Sequence, residues 1–509
     1  MEKRIGIIDI GSNSVHLVVG SVREDQFFYI IDDVKVNVRL CENLSETGML
    51  QEERMAYGVE TLRMYAEMAK SYAIDEIICV ATAAVRKAKN GEIFVQRVKE
   101  ASGIDIQIIS GEREAELDYL GAINTLDIRD ALLIDIGGGS AEFVLIKERQ
   151  KINQVSLPFG SIDLKEKFNL GDKVSEKDVN ALKHFLEKAY AEIDFLEEAK
   201  GLPIIGVGGT IRNLGRMHRR FVDYPLAIAH NYQMTQDEVK KICKKSAAED
   251  LEGRLNIKGL SKGRADIFVG ASFALQVAME TIESDKLIIS EAGLRDGMAF
   301  DFLGYYPGHL INDILDRSLL KILRHYDGNL EHGRHMYLLV QKLYYELAPL
   351  HQLTLDTRKM LRTATMLHDI GIIVGYRDHH EHSFYLMLNS GVKGISHKEL
   401  LIAAFIALNH RTNKKIKVDD CYLNLLSKED EILIDKLSLF LQIAEYLDRS
   451  MDSYVKDLKC YIQEDYVEIM VYSNGHSVFE DMIIEECGRK FQRVYNKELR
   501  IKNSVYKVQ

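Results

Sequence analysis

Apolar residues fill Ile5-Gly6-Ile7-Ile8, break at Asp9, and resume in Val15, Leu17, Val18 and Val19 after a Gly/Ser stretch. A short apolar run bounded by turn residues predicts a buried strand, and resumption after the turn predicts a second strand. The pattern returns about a quarter of the chain later. Ile7-Ile8-Asp9-Ile10-Gly11-Ser12-Asn13-Ser14-Val15-His16 is echoed by Leu133-Ile134-Asp135-Ile136-Gly137-Gly138-Gly139-Ser140-Ala141-Glu142. Asp9 matches Asp135, Gly11 matches Gly137, Ser14 matches Ser140 and His16 matches Glu142. A repeat spaced this widely predicts a duplicated domain rather than a solenoid unit.

Between and after the copies, strand-like and helical periods alternate. Glu76–Ala81, Ile104–Ser110 and Lys286–Ser290 read as strands and Ile204–Thr210 as a strand and turn; Gly91–Ala101, Glu112–Asn124, Val179–Lys200 and Gly293–Asp301 read as helices. This alternation predicts an α/β fold with helices covering the sheets. From about Gly308 helical periodicity dominates through Asp448. A small mixed α/β tail follows, with a hairpin of Val455–Gln463 and Tyr466–Tyr472 and a helix over Ser477–Tyr495. The expected domains are 1–124, 125–305, 306–450 and 451–509.

The chain has 509 residues, 28% charged and 46% hydrophobic, which suits several ordinary globular domains. No run reaches the length of a membrane span, and the N-terminus does not read as a signal peptide, so a cytoplasmic protein without a membrane partner is expected. The six cysteines are scattered, as in a reducing compartment. A net charge of −11 argues against a nucleic-acid partner. A polyanionic substrate is compatible with it where basic residues are concentrated locally.

The two Asp-x-Gly segments are suited to phosphate. Glycine lets backbone N–H groups approach an anion closely, serine adds hydroxyl donors, and the aspartate can hold a divalent cation. Gly206-Val207-Gly208-Gly209-Thr210 is a third glycine loop, opening a helix whose N-terminus favours anions. Together with Ala81-Thr82-Ala83-Ala84-Val85-Arg86, Ser110-Gly111-Glu112-Arg113-Glu114-Ala115 and Glu291-Ala292-Gly293-Leu294-Arg295-Asp296-Gly297, these motifs resemble the exopolyphosphatase / guanosine pentaphosphate phosphatase family. That family lies within the actin–Hsp70–sugar kinase superfamily. The resemblance implies two duplicated actin-like (ribonuclease H-like) domains, then an all-α HD-type domain and the small tail. It also implies that Glu114 activates water, that Asp135 and Glu142 help hold Mg²⁺, and that Arg86 pairs with substrate phosphate. Gly11, Ser12, Asn13, Ser14, Gly137, Gly138, Gly139, Ser140, Gly208, Gly209 and Thr210 are the expected phosphate cradle.

Arg212, Arg216, Arg219 and Arg220 recur at helical spacing after the third loop, and Lys258, Lys262 and Arg264 follow in a glycine-rich loop. A charge run is usually a solvated face. Beside a phosphate loop it also reads as a track for further phosphates, with Arg216, Arg219, Arg220 and Lys262 as substrate contacts. On that ground the expected substrate is inorganic polyphosphate. The alternatives are guanosine pentaphosphate, or a non-catalytic regulator that binds either ligand. In the helical region His332, His368 and Asp369 outline an HD-type metal site, with His379, His380 and His382 nearby. Glu445 stands where HD hydrolases carry aspartate, although Asp448 is close, which leaves a structural or gating role open. A homodimer is the expected assembly.

Overall fold

The computed structural model describes residues 2–353, 357–412, 418–474 and 480–505. Its contacts divide the chain into two units, residues 1–224 with 229–312, and residues 313–509 with 225–228.

The first unit is built on two mixed sheets. One contains β1 (Lys3–Ile10), β2 (Val15–Val22), β3 (Phe28–Val36), β4 (Glu76–Ala81) and β5 (Gln107–Ile108), in the order β3-β2-β1-β4-β5. The other contains β6 (Ala131–Ile136), β7 (Ala141–Lys147), β8 (Gln150–Leu157), β9 (Ile204–Val207), β10 (Tyr232–Thr235) and β11 (Lys286–Ile289), in the order β10-β11-β9-β6-β7-β8. Each begins with three antiparallel strands and continues with parallel ones, and the second sheet ends on β10, antiparallel to β11. β1 pairs antiparallel with β2 and parallel with β4; β6 pairs antiparallel with β7 and parallel with β9. The echoed aspartates occupy equivalent rungs: Asp9 lies opposite His16, and Asp135 opposite Glu142.

Alternation along the strands sorts side chains into layers. Ile8 and Ile10 face a core with Met55, Leu62 and Tyr65 of the helix Glu52–Ser71. Ile5 and Ile7 face the other way, into a core shared with Leu133, Val144 and Ile205 of the second sheet. The helix Gly111–Ile123 lies in that shared layer and contributes Leu117 and Leu120. Leu132 and Ile134 face a third core with the apolar helix Phe268–Thr281. Strands apolar on both faces are what a sheet covered on both sides requires.

Within the shared layer the helix Leu294–Phe302 packs on Gly111–Ile123 with unusual closeness. A Cβ at Gly297 would sit 1.9 Å from the Leu117 carbonyl oxygen, and one at Gly121 would sit 2.4 Å from that of Gly293. Only glycine permits this backbone-to-backbone contact.

The second unit begins with helices Ile314–His325, Leu330–Glu346, Arg358–Leu367, His379–Asn389, His397–Leu408 and Lys428–Leu447. Ser396 and Ser427 close capping boxes with Glu399 and Asp430. A sheet of β12 (Val455–Ile462), β13 (Tyr466–Ser473) and β14 (Glu498–Val505) follows, with the helix Glu480–Tyr495 between β13 and β14.

Three sequence expectations change in detail. The strand expected over Ile104–Ser110 shrinks to Gln107–Ile108, an edge pair, while Ile104 and Ile109 are buried outside the ladder. The helix expected over Val179–Lys200 runs Glu176–Ala191 and then stops. Ile193 turns extended before a 3₁₀ turn at Asp194–Ala199 that buries Leu196. The helix expected over Ser477–Tyr495 is Glu480–Tyr495, with 477–479 outside the described residues.

Candidate active site

The two echoed turns close in the same way. Gly11 N–H donates to the Ser14 carbonyl at 3.1 Å, and Gly137 N–H donates to the Ser140 carbonyl at 3.0 Å. With the third loop they surround a cavity of about 130 Å³ lined by Gly11, Ser12, Asn13, Ser14, Gly137, Gly138, Ser140, Gly208 and Gly209. Gly208 has φ +90°, and a Cβ there would sit 2.2 Å from Asp135 Oδ1. The loop therefore needs glycine both for its backbone and for the aspartate beside it. Gly139 and Thr210 are adjacent to this lining rather than part of it. The Gly139 carbonyl accepts from Lys87, and the Thr210 hydroxyl lies 3.5 Å from Arg264 Nη1.

Glu114 lies in the first turn of the helix Gly111–Ile123, whose N-cap Ser110 accepts from Arg113 N–H. Asp118, one turn later, shares its face. Both line the cavity with Asp9 and Asp135. Burial raises the Glu114 carboxyl to about 7, against the opposing pull of Arg86. Burial likewise raises Asp9 to about 6 and holds Asp118 and Glu142 well above the usual carboxylate range, with neighbouring carboxylates adding to the effect. Ser156 donates to Glu142 Oε1 at 2.9 Å. Both Asp118 oxygens, Asp135 Oδ1 and Glu142 Oε2 are buried with no hydrogen-bond partner among the described residues.

Positive charge faces these carboxylates. Arg212, Arg264 and Arg295 line the same cavity. Burial lowers Arg264 to about 10, and the charge of Arg212 adds to that shift. Lys35, opposite His16 on β3, falls to about 8 through burial and then Arg264, Arg212 and Arg295. His16 is held neutral by burial and by the same arginines; its Nε2 is 3.0 Å from Ser14 Oγ. Cations that depress one another in a buried site repel, and an anion placed between them would relieve that repulsion.

Some expected site residues lie elsewhere. Arg86 does not line the cavity; its Nη1 donates to the Ile109 carbonyl at 2.8 Å and to Glu114 Oε2 at 3.1 Å. Arg216 is exposed and donates to the Gly259 carbonyl and Asn213 Oδ1. Arg219 stacks over the Tyr232 ring. Arg220, Lys258 and Lys262 are exposed and outside the lining. Arg216 and Arg220 lie one and two turns beyond Arg212 on the helix Gly208–Phe221 and reach solvent, while Lys258 and Lys262 lie outside that helix. Conversely, Asp118 lines the cavity without being expected there, while Lys35 and Lys87, also not expected, lie outside the lining beside His16 and Gly139. Asp118 had a signal, its i+4 spacing from Glu114, whereas Lys35 and Lys87 gain their places only from strand pairing and loop contact.

In the second unit, His332 lies on the helix Leu330–Glu346, and His368 and Asp369 follow the helix Arg358–Leu367. Ligand-type atoms of His332, His368, Asp369 and Glu445 all lie within 4.8 Å of one another, as do those of Asp369, His379 and His410. Asp135 and Glu142 belong to no group this tight among the described residues. Glu445, rather than Asp448, is the carboxylate facing His368, at 3.2 Å. No helix among the described residues is long and apolar enough to cross a membrane.

Residues 17–306 match the Ppx/GppA phosphatase family, and residues 314–481 match Ppx/GppA phosphatase, domain III. The guanosine-5′-triphosphate,3′-diphosphate pyrophosphatase of Pseudoalteromonas translucida (strain TAC 125) is 28% identical over 412 residues, covering 80% of each chain. That of Vibrio vulnificus (strain YJ016) is 28% identical over 410 residues, covering 79% of this chain and 80% of its own. The solved Ppx/GppA family member of Aquifex aeolicus is 30% identical with a TM-score of 0.52, covering 60% of this chain and 99% of its own. An exopolyphosphatase from Cytophaga hutchinsonii ATCC 33406 is 25% identical with a TM-score of 0.56, covering 59% of this chain and 98% of its own.

Proposed function

The chain belongs to the Ppx/GppA phosphatase family and is a phosphoanhydride hydrolase with an actin-like α/β fold and a helical C-terminal region, and from this we propose that it removes the 5′-terminal phosphate of guanosine pentaphosphate. The observation that carries this reading is the convergence of Arg212, Arg264 and Arg295 with the glycine loops and Glu114 on one small cavity. That cavity suits a few phosphates held at one place. The substrate in the names of these two relatives agrees with it, whereas the basic residues along the sequence point to polyphosphate. The difference lies in the basic helix. Arg216 and Arg219 are engaged with a carbonyl, an amide and a ring, and they do not extend the cavity into a track. Polyphosphate is the second reading, supported by the named exopolyphosphatase among the structural relatives.

In the proposed reaction, Glu114 as carboxylate takes a proton from the attacking water as its oxygen bonds to the terminal phosphorus. The bond to the bridging oxygen breaks, and orthophosphate leaves. Arg86 holds the Glu114 carboxylate in place. Backbone N–H groups of the Gly11–Ser14 and Gly137–Ser140 turns bind non-bridging oxygens, and Arg212, Arg264 and Arg295 balance their charge. Asp135, which lines the cavity, and Glu142, buried just outside its lining, suit Mg²⁺ with Asp118 beside them. Their unpartnered buried oxygens call for a cation, and Mg²⁺ needs only one or two carboxylates when phosphates and water complete its shell. When bound, Mg²⁺ would supply charge compensation to the phosphates. A rightward shift of the magnesium titration in Asp135→Ala supports this placement; an unchanged titration removes it.

We read residues 1–124 and 125–305 as two copies of one domain, supported by the shared strand order, and 306–450 as an HD-type domain followed by the tail 451–509. The test of substrate is phosphate release from guanosine pentaphosphate, short polyphosphate and long polyphosphate under one set of conditions. A higher kcat/KM for the nucleotide is expected. A preference of tenfold or more for either polyphosphate would transfer the assignment to the second reading.

A further inference from the structure

The second glycine loop is held by its carbonyls. That of Gly137 accepts from Ser161 N–H and that of Gly138 from Ile162 N–H, both at 2.9 Å, and that of Gly139 accepts from Lys87 Nζ. A peptide unit is planar and trans, so its N–H points away from the group that holds its carbonyl. Anchoring three consecutive carbonyls therefore turns the N–H groups of Gly138, Gly139 and Ser140 to the opposite side, and Gly138 and Ser140 line the cavity. The echoed loop follows the same rule. The Ser12 carbonyl, counterpart of Gly138, accepts from Cys41 N–H at 3.1 Å, and the Asn13 carbonyl, counterpart of Gly139, accepts from Arg39 N–H at 3.0 Å. The last pair of anchors differs in kind. A backbone N–H holds Asn13, whereas a side chain 52 residues away in the chain holds Gly139.

Lys87 is chemically matched to this place. An ammonium carries three donors and no acceptor. Its acceptors are the Gly139 carbonyl, the Pro158 carbonyl at 3.0 Å and Asp163 Oδ2 at 3.4 Å. Asp163 Oδ2 also accepts from Gly160 N–H at 2.9 Å, so lysine and carboxylate together fix the segment that supplies the Ser161 and Ile162 donors. Lys87 directly follows Arg86 at the end of the helix Ala83–Lys87. Arg86 Nη1 donates to Glu114 Oε2 at 3.1 Å. Two adjacent residues thus grip both parts of the proposed reaction, one the carboxylate that takes the proton, the other the loop that receives the phosphate.

We propose that Lys87 is a positioning residue for the hydrolysis: by holding the Gly139 carbonyl it keeps the Ser140 N–H turned toward the phosphate and sets the second loop at a fixed place relative to Glu114. Lys87 itself lies outside the cavity lining. Without it the Gly139 carbonyl is free to swing inward and set the negative end of its dipole against the phosphate. Preorganised donors count most while the phosphoryl group is being transferred, so the loss falls on the chemical step. The inference rests on the cleft being the site of hydrolysis and holds for either substrate.

The test is phosphate release by the full-length protein from guanosine pentaphosphate and from short polyphosphate, measured across pH, with circular dichroism and thermal unfolding to report folding. Lys87→Met keeps the stem and removes all three donors. It should lower kcat about tenfold or more and leave KM within about threefold, the mark of an interaction made in the transition state. The acid limb of kcat/KM should stay where it stands in the wild type, because Arg86 and Glu114 are untouched. Lys87→Arg keeps a charged donor and should recover several-fold of the lost kcat. A folded Lys87→Met with kcat within twofold of wild type, a loss confined to KM, or a Lys87→Arg no more active than Lys87→Met would overturn the proposal. Glu114→Gln measured alongside separates the two readings. Activity lost there but kept in Lys87→Met overturns the positioning role alone, and activity kept in both overturns the cleft assignment with it.

Discussion

Glu114 concentrates the residue-scale argument. The residue is 7% exposed, Arg86 holds its carboxylate, and burial raises its pKa to about 7. Glu114→Gln keeps the size and one acceptor but cannot take a proton. It should therefore lower kcat about 10²- to 10⁴-fold while leaving substrate KM within a few-fold. Single-turnover phosphate release checks this, and near-normal turnover would remove Glu114 from the chemistry. The pH dependence has a definite sign. A raised carboxyl is protonated, and inactive as a base, below its pKa. In the free enzyme kcat/KM should thus rise with pH through about 7 and then level. Arg86 opposes the rise in pKa, so Arg86→Gln should move the acid limb to higher pH. A limb that stays in place would show that another group controls it.

At the scale of elements, the glycine loops and their strands were legible because their chemistry is local. Asp9 and Asp135 end apolar runs, and the following turns carry their own Gly and Ser. The matched turn bonds of Gly11 and Gly137 show that the echo reached down to hydrogen-bond geometry. The inward arginines were less legible. Helical spacing grouped Arg212 with Arg216, Arg219 and Arg220, yet only the first lines the cavity. One face of a helix 14 residues long passes from buried to exposed along its length, and a single sequence does not mark where. Lys35 and Lys87 were invisible for a related reason: their positions depend on pairing with β2 and on contact with Gly139. Arg216→Gln, Arg219→Gln and Arg220→Gln together should leave kcat/KM for guanosine pentaphosphate within about threefold. Arg264→Gln should lower it tenfold or more, as expected for a charge-assisted contact of about 1.5–3 kcal/mol. The reverse ranking would restore the basic helix as the phosphate track. Gly208→Ala adds a Cβ beside Asp135 at φ +90°. It should lower stability by about 1–3 kcal/mol in urea titration and depress activity beyond that loss. A fully active, equally stable variant would show that the loop relaxes around the methyl group.

On the scale of the whole molecule, two clusters of ionisable groups stand in separate units. The cleft sets neighbouring carboxylates among arginines. The helical unit groups His332 and His368 with Asp369 and Glu445. The cleft also has a mechanical character, which follows from the contact of Gly121 with Gly293 and of Gly297 with Leu117. Helices touching backbone to backbone cannot slide past one another without losing that contact, so a rotation about it is the movement of one sheet against the other that would keep it. Glu114 lies about two turns from Gly121 along one helix, and Arg295 about half a turn from Gly297 along the other. Gly297→Ala forces the axle apart and should therefore lower kcat more than it raises KM, measured on the same substrate. A change in KM alone would argue against a pivot at this place. With Glu114 and Arg295 both carried near this contact, a rotation about it would change their spacing least. Such a rotation would open the cleft to product while keeping the proposed reactive pair assembled for the next turnover.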